Sequence, residues 1–223
     1  MFASILRTQE EEILDREELS PRGRRILQDL DRWNRAIRWY DAHVRRIRQH
    51  WEALGRPAPF RVLDVGSGSG GLLAALADSD LPCELVGVDR SPAFVEIAAQ
   101  LLGGRATLQE ADATALPFPD QSFHLVTNTL MLHHLPHGVR HALVKEAARV
   151  ARSAYVFDLE ITLYGVVGFA FAGPLAGLGR DAVHDGMLSV RRGATYAEMC
   201  ELMLPLPVRV VRVFPSALCT MPG

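Results

Sequence analysis

The sequence predicts an α/β fold: a mostly parallel sheet of seven strands, helices on both faces, and an antiparallel pair at the C-terminal end. Three observations carry that expectation. Short, continuously apolar strands alternate with helical patterns between residues 60 and 159, as they do in sheets covered on both sides. A glycine-rich turn, Gly66 to Gly71, follows the first strand directly. The last two strands are separated only by Phe214-Pro215-Ser216, too short a link for a parallel crossover.

Taken in order, residues 1–20 are acidic and weakly patterned, which predicts a frayed or short helix. Their apolar patch is too short for a signal peptide and acid follows at once. Ser20-Pro21 is a helix start, with serine as cap and proline in the first turn. Leu27, Leu30, Trp33, Ile37, Tyr40, Val44, Ile47, Trp51 and Leu54 then fall at steps of three and four. That spacing predicts one continuous helix face, ended by Gly55, Pro57 and Pro59. Nine arginines against three aspartates give residues 22–48 a local charge of +6. The expectation is an N-terminal helical cap over residues 1–58, with Trp33, Asn34, Ile37 or Tyr40 above a pocket, rather than a helix lying on an anionic membrane.

Residues 59–223 form the α/β domain. Its parallel strands are Phe60 to Val65, Glu84 to Val88, Ala106 to Gln109, Phe123 to Thr129 and Ala154 to Leu159. Helices run to Ala77, from Pro92 to about Leu102, from Gly138 to Val150 and from Thr195 to Leu204; Val208 to Val213 and Ala217 to Thr220 are the antiparallel pair. An apolar insertion occupies about residues 160–193. Within it Thr162 to Gly179 has no charge, five glycines and one proline, which reads as a buried connection, or as a hydrophobic lid over an apolar acceptor, with membrane contact as a further alternative.

The net charge of −2 over 223 residues argues against a nucleic-acid partner, since phosphate contacts demand a basic surface. Three scattered cysteines form no CxxC pair, which fits free thiols in a reducing cytoplasm.

The chemistry starts at Val62-Leu63-Asp64-Val65-Gly66-Ser67-Gly68-Ser69-Gly70-Gly71. Glycines at a strand-to-helix turn let a ligand approach the backbone, and Gly66, Gly68 and Gly71 also satisfy the dinucleotide pattern GxGxxG. Asp64 separates the options. A carboxylate two residues before the first glycine is poorly placed beside a pyrophosphate and well placed for an amino group. Asp89 ends the second strand, where it can accept two ribose hydroxyls; Asp112-Ala113 follows the third strand, and Asn128 stands at the same sheet edge.

These segments resemble class I S-adenosylmethionine-dependent methyltransferases of the group that includes the ubiquinone and menaquinone C-methyltransferases. LDVGSGSG, VGVDRSP, EADATALPFPDQSFHLV and NTLMLHHL match that group's cofactor-side motifs in order and spacing, from about Arg61 to Leu159. The resemblance implies a Rossmann-like fold and S-adenosylmethionine as cofactor, with S-adenosylhomocysteine as product. It places Asp64, Gly66, Gly68 and Gly70 around the methionine moiety, with Ser67 and Arg90 beside the site. It further implies Asp89 on the ribose, Asp112 and Ala113 at adenine and Asn128 near the sulfonium. His124 stands where the group has aspartate, a departure expected to affect stability more than chemistry. The flanks, Asp31-Arg32-Trp33-Asn34-Arg35 and His184 to Arg192, are similar to a narrower bacterial set associated with aromatic or lipid-like metabolites.

On the acceptor side, His133, His134 and His184 are the candidate bases. Arg191, Arg192 and Tyr40 are the candidate acceptor-binding residues. No metal is expected: His133, His134 and His137 are ligands by residue type, but no carboxylate completes the set. The expected function is methyl transfer to an oxygen or carbon of a hydrophobic, aromatic or polyketide-like small molecule. The alternatives are an NAD(P)-dependent oxidoreductase, for which no Tyr-x-x-x-Lys pair is present, and a cofactor-binding module without turnover. Protein or RNA methylation is disfavoured because Asn128-Thr129-Leu130-Met131 lacks the Asn/Asp-Pro-Pro-Tyr type of motif.

Overall fold

The structure, a computed structural model, describes residues 5–17, 20–36, 38–213 and 217–223. Its elements are α1 (Ile13–Glu17), α2 (Pro21–Ala36), α3 (Trp39–Ala53), β1 (Phe60–Val65), α4 (Gly71–Ala77), β2 (Cys83–Asp89), α5 (Pro92–Leu102) and β3 (Thr107–Glu110). There follow β4 (Phe123–Thr129), α6 (His137–Val150), β5 (Ala151–Leu159), α7 (Leu163–Leu175), α8 (Arg180–Arg192), α9 (Tyr196–Met203), β6 (Val208–Val213) and β7 (Ala217–Pro222). The sheet has seven strands in the order β3-β2-β1-β4-β5-β7-β6. β1 to β5 pair in parallel, whereas β7 is antiparallel to both β5 and β6. The link Phe214-Pro215-Ser216 lies outside the described residues.

Alternate residues of the central strands feed opposite cores. Leu63, Val126 and Val156 face the layer of α6 and α9, where Leu143, Ala147 and Met199 are buried. Val62, Leu125 and Tyr155 face α3, α4 and α5, where Ile47, Leu73 and Leu102 are buried. Both sheet faces are therefore dry, which is why these strands read as unbroken apolar runs.

The single helix expected from residue 21 to 54 is two helices. Arg38 takes a left-handed conformation, φ +53°, and starts α3, so the apolar stripe bends instead of running straight; Ile37 lies outside the described residues. The bend divides the expected cap. α3 belongs to the helical layer on the sheet, while α1 and α2 join Leu178 and Ala182 in a third, smaller apolar cluster with Ile13 and Ile26.

The uncharged stretch forms α7, which packs on α8. The contact needs small residues: a methyl group on Gly173 would press on Val183, and one on Gly186 on the Phe169 ring. Leu163, Tyr164, Val167, Phe171 and Leu175 remain exposed on α7. Among the described residues no helix is long and apolar enough to cross a membrane.

Candidate active site

The carboxyl ends of β1, β2 and β4 open into a cleft of about 850 Å³, the position where ligands bind in open α/β sheets. Its floor is the turn after β1. Gly66 and Gly68 have φ of +71° and +52°, and the amides of Gly66 and Ser67 donate to Val88 O at 2.8 and 3.0 Å. At Gly66 a side chain would collide with Met131, so both conformation and space require glycine there.

The acids around the cleft differ in condition. Asp64 is buried, and Thr127 Oγ1 donates to its Oδ1 at 2.7 Å. Burial pushes its carboxyl up to about 7, against the Thr127 hydrogen bond and with help from the charge of Asp89. Asp89 holds the turn: Oδ2 accepts the Gly68 amide at 2.9 Å and Oδ1 the Ser91 amide at 3.0 Å. Oδ1 of Asp112 accepts both the amide and the hydroxyl of Thr114, and these bonds hold its carboxyl below the ordinary range. Ser67 Oγ is buried without a partner. A polar ligand is the natural partner for such a group.

Residues 62–154 match the family model described as methyltransferase domain. Over that segment the chain is similar to methyltransferases. An uncharacterized methyltransferase of Bacillus subtilis, YcgJ, is 39% identical over 99 residues, covering 43% of this chain and 38% of that protein. A demethylmenaquinone methyltransferase of Thermus thermophilus is 37% identical over 91 residues, covering 40% and 41%. The chain thus spans about two-fifths of the length of these curated relatives. The plantazolicin methyltransferase BamL, solved in complex with a triazolic desmethylPZN analogue and SAH, shares the fold with a TM-score of 0.64 at 18% identity, over 86% of this chain and 72% of its own. The NAD(P)-dependent alternative draws no support from these relatives.

Of the residues expected at the cofactor, Asp64, Gly66, Ser67, Gly68, Asp89, Arg90, Asp112 and Ala113 line the cleft. Two expectations are corrected. Gly70 is not in the cleft wall: it caps α4 with φ +81° and packs on Ala98 and Leu102 of α5, while its neighbour Gly71 lines the cleft. Asn128 is fully buried beneath the turn, donating from Nδ2 to Val65 O at 2.7 Å and to Met131 Sδ at 2.9 Å. It supports the floor, and its Oδ1 is buried without a hydrogen-bond partner. His124 lies at the start of β4, where its Nδ1 accepts the Arg61 amide at 3.0 Å.

Behind the cleft lies a second chamber of about 680 Å³. The two adjoin, because Leu14, Leu30, Asn34, Trp39, Leu130 and His134 border both. Leu130 holds φ +54°, a rare conformation for a branched residue, and it holds it at this throat. Trp39, Phe157, Leu159, Phe169 and Val190 give the chamber apolar and aromatic walls, and Arg46 also borders it. His43 meets Tyr155 by a hydrogen bond, and burial pulls its imidazole down to about 3, so it is neutral.

The polar end of the chamber is Glu12, His133 and His134. Asp158, buried at the end of β5, accepts the His133 backbone amide at 3.1 Å and binds its Nδ1 at 2.6 Å. Burial alone would raise Asp158, but the hydrogen bond of His133, and its charge when protonated, outweigh it and hold the carboxyl low. An ionised Asp158 can only accept, so Nδ1 carries the His133 proton and Nε2 turns toward Glu12 Oε1, 3.7 Å away. His134 Nδ1 stands 2.7 Å from Asp15 and 3.9 Å from Glu12.

Three further acceptor-side expectations change. His184 is half-exposed and borders neither chamber nor cleft. Arg191 and Arg192 do not face the chamber; they fasten the N-terminal segment. Arg191 Nε donates to Leu6 O at 2.9 Å, and Arg192 reaches Asp15 at 2.5 Å and His134 O at 3.2 Å. Tyr40 borders the cofactor cleft over Gly71, not the chamber. Sequence reasoning missed Glu12, Asp15 and Asp158. Asp158 could have been found, since it ends a strand at the same sheet edge as Asp64 and Asp89. No local signal ties Glu12 to histidines more than a hundred residues away.

Proposed function

We propose that this chain transfers a methyl group from S-adenosylmethionine to an oxygen or carbon nucleophile of a hydrophobic, aromatic small molecule. The observation that carries the reading is the shared throat: a glycine-floored cleft opens onto an apolar chamber whose far end holds a buried His133–Asp158 pair. The cleft suits the cofactor on its own chemistry, with the unpartnered Ser67 Oγ and the uncrowded Gly68 at its floor and carboxylates at both ends. Bound there, the cofactor supplies an electrophilic methyl group. The acidic residues then divide the binding: Asp64 toward the amino group, Asp89 toward the ribose hydroxyls and Asp112 with Ala113 toward adenine. Trp39, Phe157 and Phe169 hold an aromatic acceptor and keep water out, so that the nucleophile meets the methyl carbon in line. His133 takes the acceptor's proton at Nε2, with Asp158 fixing the tautomer and balancing the charge that forms.

Calorimetry with S-adenosylmethionine, S-adenosylhomocysteine, NADH and NADPH tests the cofactor assignment: the first two bind and the nicotinamides do not. Binding of a nicotinamide alone would overturn it. His133→Ala cuts turnover of an identified acceptor by about 100-fold or more while leaving cofactor affinity within about twofold. Full activity in that variant removes His133 as the base.

A further inference from the structure

Once Glu12 is ionised, the polar end of the chamber holds two facing acceptor atoms, 3.7 Å apart, beside the Ser189 hydroxyl that hydrogen-bonds Glu12. Nε2 of neutral His133 offers a lone pair, because Nδ1 keeps the ring proton and donates it in a hydrogen bond to Asp158. Oε1 of Glu12 is buried without a hydrogen-bond partner. Its neighbours stop short: His133 Nε2 at 3.7 Å, Arg192 at 3.7 Å and His134 Nδ1 at 3.9 Å. Glu12 as a whole is 4% exposed. Buried acceptors in this condition call for a ligand.

Two kinds of ligand fit the spacing. One is a divalent cation, since the ligand atoms of Glu12, His133 and His134 lie within 4.8 Å of one another. The site already has its positive charge, however. Arg192 stands beside Glu12 and is paired with Asp15 at 2.5 Å, and a second cation there would be repelled at close range. The other ligand is a pair of neutral O–H donors on an apolar body, which matches the aromatic walls.

We propose that the acceptor is an aromatic ring bearing two neighbouring hydroxyls, one donating to His133 Nε2 and the other to Glu12 Oε1. The proposal rests on the methyl-transfer reading above and narrows its substrate class to oxygen nucleophiles of the catechol type. In the reaction the first hydroxyl loses its proton to Nε2, its oxygen bonds the methyl carbon, and the electron pair of the broken carbon–sulfur bond stays on sulfur. Glu12 keeps the second hydroxyl by a hydrogen bond and so decides which oxygen is methylated. A single phenol leaves one of the two atoms unpartnered, and an anisole leaves both.

The test uses the full chain loaded with S-adenosylhomocysteine at pH 8, where Glu12 is ionised, titrated with catechol, phenol and anisole. Catechol binds at least about tenfold more tightly than phenol, the ratio expected for one added hydrogen bond to a charged group. Glu12→Gln brings that ratio below about threefold and leaves S-adenosylhomocysteine affinity unchanged, because Glu12 does not border the cofactor cleft. Arg7→Ala separates recognition from loosening of the N-terminal segment. It removes the Arg7–Glu198 ion pair at 2.7 Å, which fastens the same segment without touching Glu12, and weakens all three probes by the same factor. Equal binding of catechol and phenol overturns the proposal, as does a catechol preference that survives Glu12→Gln. Micromolar binding of Zn²⁺ that depends on Glu12 also overturns it and assigns the cluster to a cation. If the catechol preference holds while S-adenosylhomocysteine fails to bind, the methyl-transfer reading falls instead.

Discussion

At the residue scale, the cofactor cleft holds a carboxylate whose job opposes its stability. Asp64 is buried with its carboxyl raised to about 7, so the fold favours the protonated form. Its contribution to stability therefore falls as pH rises from the ordinary carboxylate range through about 7. Asp64→Asn keeps the shape and the Thr127 contact but removes the charge. At pH 8 the variant melts higher, by about 2–4 °C for each kcal/mol of relieved desolvation, while cofactor affinity drops about tenfold or more for loss of a charge-assisted bond. Differential scanning calorimetry with a cofactor titration reads both; a variant that melts lower removes the burial argument. Asp89 behaves differently because it also ties down the turn through Gly68 and Ser91. Asp89→Ala weakens binding more than about tenfold, checked by isothermal titration, and unchanged affinity would remove Asp89 from the site.

At the element scale, residues 5–17 are a strap across the chamber. Both oxygens of buried Asp185 accept the amides that start α1, Ile13 at 2.9 Å and Leu14 at 3.0 Å, and Thr8 donates to Arg191 O at 3.3 Å. Four charged or titratable groups face Glu12 here: His133, His134, Asp15 and Arg192. Burial raises Glu12 from 4.5 to about 7, whereas His134 and Arg192 outweigh burial at Asp15 and hold it low. In an opened strap Glu12 is hydrated and ionises near 4.5, so closure weakens as pH rises from about 4.5 to about 7 and is constant above. Asp15 is ionised in both states throughout that window and adds no slope. Hydrogen exchange of residues 5–17, corrected for intrinsic rates, is faster at pH 7.5 than at pH 5.5, and Glu12→Gln abolishes the difference. Asp185→Ala removes two charge-assisted bonds and speeds strap exchange at least about tenfold at either pH. Equal protection in wild type at both values would show that Glu12 does not govern the strap.

At the scale of the whole molecule, what was legible follows from range. β4, Phe123–Thr129, and the glycine turn were readable because strand hydrophobicity and φ > 0 are properties of neighbouring residues. The cofactor side was readable for the same reason: Asp64, Asp89 and Asp112 each end or follow a strand, and parallel topology alone gathers strand ends. The acceptor side was not, because Glu12 and His133 meet only after the strap folds onto α8. Periodicity also missed the bend at Arg38, since an apolar stripe continues through a left-handed residue without a break in spacing. This division predicts separable halves. The strap's apolar anchor, Ile13, packs with Ile26, Leu178 and Ala182 in a cluster distinct from the two cores that hold the sheet. Removing residues 1–19 therefore leaves the sheet folded and the floor of the cofactor cleft intact. At ligand one hundred times its dissociation constant, binding adds about 2.7 kcal/mol, a shift of about 5–10 °C in a domain of this size. The truncated chain keeps most of the shift with S-adenosylhomocysteine, measured at the same ratio of ligand to dissociation constant. Its methyl transfer falls by about 100-fold or more, because Glu12 and the chamber's closure are gone while His133 and Asp158 remain. If the shift disappears as well, the strap is part of the cofactor site; if turnover persists, the acceptor is held by the sheet and α7 alone.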